Sequence, residues 1–299
     1  RVYPEPSFES ANENGDVNTL DLARFSVSAS AVTQQFNVIK KYVAAGMTRL
    51  ILSTFSPPAW MKSNGSLIGG SIRDDMYDEY AEFYAAYCKA VKQQCGIDVY
   101  AVSPENEPAW EQWYNSCVFT PIQMRDAIKA IGRRFELEGL SAVKIFAAED
   151  LITNQWTSYY GATMADTVSK RYLYALAVHA YENDGATAGS PSANRWATVA
   201  NRAIPYGKVV WQTETSGYND NWADAYSYGT GIFTALKFGK VAAWVYLNVN
   251  TDGAQAERSY SNYGTPQWPY YTAKNFSRWI RPGAVMVETV SSDSSNVLS

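Results

Sequence analysis

The chain has 299 residues, of which 46% are hydrophobic and 18% charged, a composition typical of a folded globular protein and not of a disordered one. Its net charge is −4 and its basic residues are scattered, which argues against nucleic acid or a membrane surface as the partner. Three cysteines are too few for a disulfide scaffold, and the single histidine, His179, argues against a zinc cluster. We therefore expect no metal and no cofactor.

Strands and helices alternate along the chain. The predicted elements, in order, are a strand remnant at 1–3, helix 33–45, strand 49–54, helix 75–95, strand 99–102, helix 121–138, strand 143–148, helix 157–168, strand 174–179, helix 193–202, strand 208–214, helix 223–238, strand 241–247 and helix 272–280. Their repeat of roughly 35 residues is the rhythm of parallel βαβ units. An open doubly wound sheet would carry a Gly-rich turn after its first strand, and none is visible.

The prediction is therefore an α/β fold, a (β/α)8 TIM-type barrel over residues 1–283 whose first strand lies upstream of residue 1. The pattern changes at Ala284, where alternating apolar residues predict a strand through Val285, Val287, Thr289 and Val290. We expect residues 284–299 to begin a small antiparallel β side domain.

Two glutamates follow predicted strands. The run 99–102 is apolar, stops at Ser103-Pro104, and is followed by Glu105 and Glu107; a second apolar strand ends at Glu214. Catalytic groups of parallel α/β barrels collect at the carboxyl ends of strands, and a pair of carboxylates there is what glycosidic bond cleavage requires. Glu105 is a rival to Glu107 but points the other way along an extended segment. The alternative for Glu107 is a carboxylate at a helix start, and for Glu214 a surface glutamate.

Aromatic residues are abundant, with ten Trp, 22 Tyr and 11 Phe. Many lie in polar loops beside Asn, Gln and Asp, including Trp110, Trp113, Tyr114, Tyr218, Trp222, Tyr260, Tyr263 and Trp268. A sugar ring has an apolar face rimmed by hydroxyls, so such loops suit a glycan-binding cleft. For any single residue, packing under a loop is the simpler interpretation.

Five stretches of the chain resemble glycoside hydrolase family 30, within the clan of retaining (β/α)8 glycosidases. They are SPPAWMKSNG at 56–65, SPENEP at 103–108, HAY at 179–181, WQTETS at 211–216 and FSRWIRPG at 276–283. The resemblance keeps the family's order over nearly the whole chain. Two features differ from the family: its first barrel strand is absent, and its β-sandwich side domain is represented by only the last residues.

The resemblance implies roles for particular residues. The family pattern places the acid/base at Glu107, the nucleophile at Glu214 and a side chain that binds the sugar 2-hydroxyl at Asn106. Arg1 resembles the arginine that ends the family's second strand, near the nucleophile. Tyr181 resembles the tyrosine that holds the nucleophile carboxylate.

Trp60 and Trp244 resemble the walls of the subsite that binds the sugar being cleaved, although plain core packing is the alternative for Trp60. We expect His179 to be a hydrogen-bonded support near the cleft and not a general base. Glu149 and Asp150 follow another predicted strand, where either substrate binding or helix capping would explain them.

The predicted function is a secreted, monomeric, retaining endo-β-glycosidase that acts on a polysaccharide or oligosaccharide by double displacement. Xylan is the first choice, because Arg258 in a late loop could bind an acidic side-chain sugar. A β-1,6-glucan or β-1,6-galactan is the runner-up, and a glucosylceramide-type glycoside is a third option. An alternative of another class is a non-catalytic glycan-binding protein on the same barrel.

Overall fold

The computed structural model describes residues 1–12, 16, 18–153, 155–181, 190–251, 253 and 256–287. The chain divides into two compact units, Arg1–Val178 and His179–Ser299. Among the described helices, none combines the length and the apolar composition that crossing a membrane requires.

The first unit is built from parallel βα repeats. Its strands are β1 (Leu50–Ser53), β2 (Val99–Ser103), β3 (Lys144–Leu151) and β4 (Leu173–His179). They lie side by side in the order in which they occur along the chain, and β4 ends at the unit boundary. Its helices are α1 (Ser30–Ala44), α2 (Tyr77–Cys95), α3 (Pro121–Leu137), α4 (Trp156–Ala165) and α5 (Thr167–Tyr172). The β1–β2 and β2–β3 pairs are parallel, as the βαβ pattern predicts. Val2 forms an isolated parallel bridge with Leu52, where the sequence indicates a strand remnant.

The helix ends and the core of this unit follow from local sequence. Thr120 caps α3 in a reciprocal capping box with Gln123, and Pro121 occupies the first turn, where its missing N–H costs nothing. On α2, the aromatic side chains at helical spacing are all fully buried, namely Tyr80, Phe83, Tyr84 and Tyr87. The amphipathic pattern of α2 is therefore confirmed, and its apolar side forms the core of the unit.

The second unit contains α6 (Pro191–Ala203), β5 (Val209–Glu214), α7 (Trp222–Gly239), β6 (Val241–Trp244) and α8 (Trp268–Ser277). Strands β5 and β6 pair in parallel. Between β6 and α8 lies a small sheet of β7 (Asn248–Thr251), β8 (Ser259–Asn262) and β9 (Thr265–Pro266), parallel for β7–β8 and antiparallel for β8–β9. The core of this unit includes Trp196 of α6 and Tyr228 of α7.

Five details differ from the predicted elements. The helix predicted at 157–168 is two helices, α4 and α5, because Asp166 caps a new helix with its carboxylate. The strand predicted at 241–247 ends at Trp244, the small sheet of β7 to β9 was not predicted, and α8 begins at Trp268. Residues 284–287 contain no strand, and the rest of the predicted β segment, 288–299, lies outside the described residues.

Candidate active site

Glu107 lies just beyond the carboxyl end of β2, in a segment that the first unit holds tightly. The Tyr80 hydroxyl donates to the Pro104 carbonyl oxygen at 2.5 Å, and the Asn106 N–H donates to the Thr54 carbonyl oxygen at 2.7 Å. Glu107 has a left-handed φ of 48°, a conformation that costs a non-glycine residue about 1–3 kcal/mol. The Glu107 N–H donates to the Glu149 carbonyl oxygen at 2.9 Å, which helps to hold this conformation.

The carboxylate of Glu107 is 6% exposed and receives a hydrogen bond from Gln112 Nε2 at 3.3 Å. The next helix, α3, begins only at Pro121, so the helix-start interpretation of Glu107 is wrong. Gln112 was not predicted as a site residue. Its only signal in the sequence is its place in the Trp-rich loop that follows Glu107.

Asn106 belongs to a buried polar network in the same unit. Arg1 Nη2 donates to Asn106 Oδ1 and, at 3.1 Å, to Ser53 Oγ at the end of β1. The Ser53 hydroxyl donates to the Glu149 carboxylate, and Arg1 Nη2 lies 3.4 Å from Glu149 Oε1 as an ion pair. Sequence reasoning places Arg1 and Asn106 in the site but misses Ser53.

Glu149 and Asp150 are buried inside β3, which runs on to Leu151. Because α4 begins only at Trp156, the helix-capping interpretation of these two carboxylates is wrong. Asp150 Oδ1 accepts the N–H of Leu151 at 2.7 Å, a local contact within the strand.

Glu105 lies apart from this network. It is fully buried, and neither of its carboxylate oxygens has a hydrogen-bond partner among the described residues. Burial raises the pKa of Glu105 well above its usual range; Lys62 opposes this, and the charge of Glu149 adds to it. These surroundings differ from those of Glu107, whose carboxylate accepts a hydrogen bond from Gln112; the choice of Glu107 over Glu105 as acid/base stays a prediction.

Glu214 is the last residue of β5 in the second unit and is 7% exposed. The Tyr181 hydroxyl donates to Glu214 Oε1 at 2.5 Å, the contact that the family pattern implies. The Ala180 N–H donates to the Glu214 carbonyl oxygen at 2.9 Å, so the segment after β4 holds both the backbone and the carboxylate of Glu214.

His179 ends β4 and is fully buried, with its ring 6.3 Å from the Tyr181 ring in an edge-to-face arrangement. A histidine enclosed in this way can orient Tyr181 through packing. Its predicted role as a hydrogen-bonded support stays a prediction.

The remaining predicted residues lie in different surroundings. Trp60 is half-buried, and its Nε1 donates to the Glu9 carbonyl oxygen at 3.1 Å, which fixes the indole; its contact with a sugar stays a prediction. Trp244 Nε1 donates to the Tyr228 hydroxyl at 2.9 Å. Arg258 is exposed at the end of a short 3₁₀ turn before β8, and its contact with a substrate also stays a prediction.

Trp244 is partly buried at the end of β6. It packs against the aromatic core around Tyr228 of α7 and lines an apolar cavity of about 220 Å³ together with Leu236 and Phe276. These contacts belong to the packing of β6 against α7 and α8. They fix one side of the indole, and its predicted contact with a sugar stays a prediction.

Each unit has parallel βα strands, and in each a glutamate at or just beyond a strand's carboxyl end accepts a hydrogen bond, a feature that barrel glycosidases share. The sequence matches the glycosyl hydrolase family 30 TIM-barrel domain over residues 8–268. The chain therefore belongs to glycosyl hydrolase family 30. This confirms the predicted TIM-type fold and, at the level of the family, the predicted class of O-glycoside hydrolases.

Three similar proteins differ in the substrate that their names state. A putative glucosylceramidase 4 of Caenorhabditis elegans is 23% identical in an alignment of 308 residues, which covers 89% of this chain and 56% of that protein. A family 30 subfamily 8 xylanase of Clostridium acetobutylicum has 25% identity and a TM-score of 0.70 over 87% of this chain and 62% of that one. An endo-β-1,6-glucanase has 21% identity and a TM-score of 0.68 over 87% and 62%. The chain spans about half the length of the curated relatives that it matches.

Proposed function

We propose that this chain carries the catalytic barrel of a retaining O-glycosidase, with Glu107 as acid/base and Glu214 as nucleophile. The observation that supports this most directly is that each glutamate lies at the carboxyl end of its own strand in a family 30 chain and is held by a hydrogen-bond donor. The donor is Gln112 for Glu107 and Tyr181 for Glu214. Strand-end carboxylates held in this way suit chemistry in which both must keep one orientation.

In the proposed reaction, Glu214 attacks the anomeric carbon while Glu107 donates its proton to the departing glycosidic oxygen. A covalent glycosyl–enzyme ester forms on Glu214. Glu107, now a carboxylate, then takes a proton from water as that water attacks the anomeric carbon and releases Glu214. The sugar leaves with the anomeric configuration that it had in the substrate.

For the substrate, we propose xylan first. The similar family 30 xylanase, at 25% identity, and the exposed position of Arg258 both support it, because an arginine fork can bind the carboxylate of an acidic side-chain sugar. Cleavage of a plant polysaccharide would take place outside the cell, so a secreted enzyme follows from this choice. A β-1,6-glucan or β-1,6-galactan remains the runner-up polysaccharide.

A glucosylceramide-type substrate is the third candidate, and two exposed tryptophans support it. Trp110 and Trp113 follow Glu107 in the same loop and are 53% and 83% exposed. Exposed aromatic side chains beside a catalytic residue suit contact with a lipid as well as with a sugar face. The curated relative from C. elegans carries a glucosylceramidase name, which agrees with this candidate.

The test is product release from glucuronoxylan, arabinoxylan, β-1,6-glucan, β-1,6-galactan and glucosylceramide in detergent micelles. Glu107→Gln and Glu214→Gln are compared with Glu136→Gln, which changes an exposed glutamate on α3. Turnover of one substrate that is lost in the first two variants and kept in the third supports the proposal. An NMR spectrum of the first product then reports its anomeric configuration, and inversion would refute the double displacement.

The same panel separates an enzyme from a glycan-binding protein. Folded wild type that binds an oligosaccharide in calorimetry but releases no product from any substrate would favour the non-catalytic alternative. Equal turnover in wild type and in both site variants would show that other residues carry the reaction.

A further inference from the structure

Glu149 has no role in the reaction described so far, yet its buried carboxylate contacts two polar side chains, those of Ser53 and Arg1. It is fully buried in β3 and has a left-handed φ of 54°. Its carboxylate accepts the Ser53 hydroxyl and pairs with Arg1. A buried carboxylate in a strained backbone conformation persists only where its surroundings hold it in place.

The first connection runs from Glu149 through Arg1 to Asn106. Arg1 Nη2 touches all three partners of the network: the Glu149 carboxylate, the Ser53 hydroxyl and the Asn106 Oδ1 atom. Because a guanidinium can only donate, the amide of Asn106 must present its oxygen to Arg1. The Asn106 NH2 group therefore points away from Arg1, and its orientation depends on where Arg1 is held.

The second connection runs through the backbone. The Glu149 carbonyl oxygen accepts the Glu107 N–H at 2.9 Å, and both residues have left-handed φ values, 54° and 48°. One residue thus contacts the side chain of Asn106 through Arg1 and the main chain of Glu107 directly. The strand β3 in this way holds the end of β2 in a single conformation.

We propose that Glu149 is a positioning residue that makes the enzyme selective for sugars with a hydroxyl at C2. It does so by fixing whether the oxygen or the NH2 group of the Asn106 amide points toward the substrate. The inference rests on the proposed glycosidase function, in which Asn106 binds the 2-hydroxyl. With Arg1 held by Glu149, Asn106 offers N–H donors to the 2-hydroxyl oxygen. Without the carboxylate, the buried guanidinium loses its counter-charge and must move toward another acceptor. The amide is then free to turn its oxygen toward the sugar.

The test uses a pair of substrates that differ only at C2. The probes are 2,4-dinitrophenyl β-D-xylopyranoside and β-D-glucopyranoside and their 2-deoxy counterparts, and the sugar series that the wild type cleaves faster is used. Hydrogen bonds to the 2-hydroxyl strengthen in the transition state of this reaction. For Glu149→Gln we expect kcat/KM to fall about 10- to 100-fold on the 2-hydroxy substrate and to change less than about threefold on the 2-deoxy one.

The matched control is Glu82→Gln. Glu82 is also a fully buried carboxylate paired with an arginine, Arg134, at 3.3 Å, but it lies on α2 and faces α3. We expect this variant to lower stability, as loss of any buried ion-pair partner does, and to leave the ratio between the two substrates unchanged. Should Glu149→Gln not fold, Ser53→Ala weakens the same network and should shift the ratio in the same direction by a smaller factor.

A second readout is coupling to Asn106. If Glu149 acts through the amide, Glu149→Gln adds less than about twofold to the effect of Asn106→Ala on the 2-hydroxy substrate, because the interaction is already lost. Wild type that cleaves neither of these substrates and releases no product from any glycan of the panel would overturn the proposed function, and this inference with it. Active wild type with a Glu149→Gln variant that lowers both rates equally, or neither, would overturn this inference alone.

Discussion

Removal of the Tyr181 hydroxyl is the sharpest test of how Glu214 is held. The hydroxyl donates to Glu214 Oε1 at 2.5 Å, and the tyrosine ring packs edge-to-face against the buried His179 ring. Tyr181→Phe keeps the ring and deletes the hydroxyl that makes this hydrogen bond. The variant therefore separates the orientation of the nucleophile from the packing around it.

The expected loss of activity follows from the strength of a hydrogen bond to a charged carboxylate. A hydrogen bond to a charged group contributes about 1.5–3 kcal/mol, and each 1.36 kcal/mol in the activation free energy changes a rate about tenfold. If the whole contribution is felt in the transition state, kcat/KM falls about 10- to 150-fold. A smaller loss of about threefold would mean that other contacts of Glu214 share the task of orienting it.

The assay is kcat/KM on the substrate identified by the glycan panel, with unfolding temperatures measured in parallel. Tyr172→Phe is the matched control, because the Tyr172 hydroxyl donates to Glu136 Oε2 at 2.7 Å on the exposed side of the first unit. That variant removes the same kind of tyrosine–glutamate bond and should keep full activity. A Tyr181→Phe enzyme within twofold of wild type would refute the reasoning that this bond orients the nucleophile.

Three further outcomes are expected. Gln112→Ala removes a hydrogen-bond donor from Glu107 and should lower kcat/KM about 2- to 10-fold on glycosides with poor leaving groups. On dinitrophenyl glycosides, whose leaving group needs no proton from the acid, kcat/KM should hardly change. Equal losses on both kinds of substrate would contradict this. Glu105→Gln should gain stability relative to wild type as the pH rises from 5 to 9. Burial raises the pKa of Glu105 in the folded protein above its value in the unfolded chain. The stability of the wild type therefore falls as the pH rises from the unfolded pKa toward the folded one, by at most about 1.4 kcal/mol per pH unit. A difference in unfolding free energy between wild type and variant that is the same at all pH values would refute this. Thr120→Ala removes the capping box with Gln123 and should lower the free energy of unfolding, measured by urea denaturation, by about 1 kcal/mol. We expect kcat/KM to stay unchanged, and a loss of activity would show that α3 is coupled to the site.

The order of strands and helices and the two strand-end glutamates could be predicted from the sequence. The pattern of apolar residues has a different period in a strand and in a helix, and proline, glycine and capping residues mark the ends locally. The small sheet of β7 to β9 could not be predicted, because its polar residues show no alternation that buries one face. The predicted bounds of α8 were displaced for a similar reason, since Trp268 and Pro269 follow a loop without a clear capping signal.

The tertiary structure alone decided which side of a strand or helix a residue faces and which distant residue it contacts. The sequence does not show that Trp244 donates its Nε1–H to the Tyr228 hydroxyl, because only the folded chain places the end of β6 beside α7. Glu149 looks like a helix cap in the sequence, yet it meets Ser53, 96 residues away, and reaches Asn106 through Arg1, 105 residues from it. Local pattern reports on neighbours within a few residues. It therefore predicts that a carboxylate ends a strand, while the network that orients it exists only once β1, β2 and β3 lie side by side.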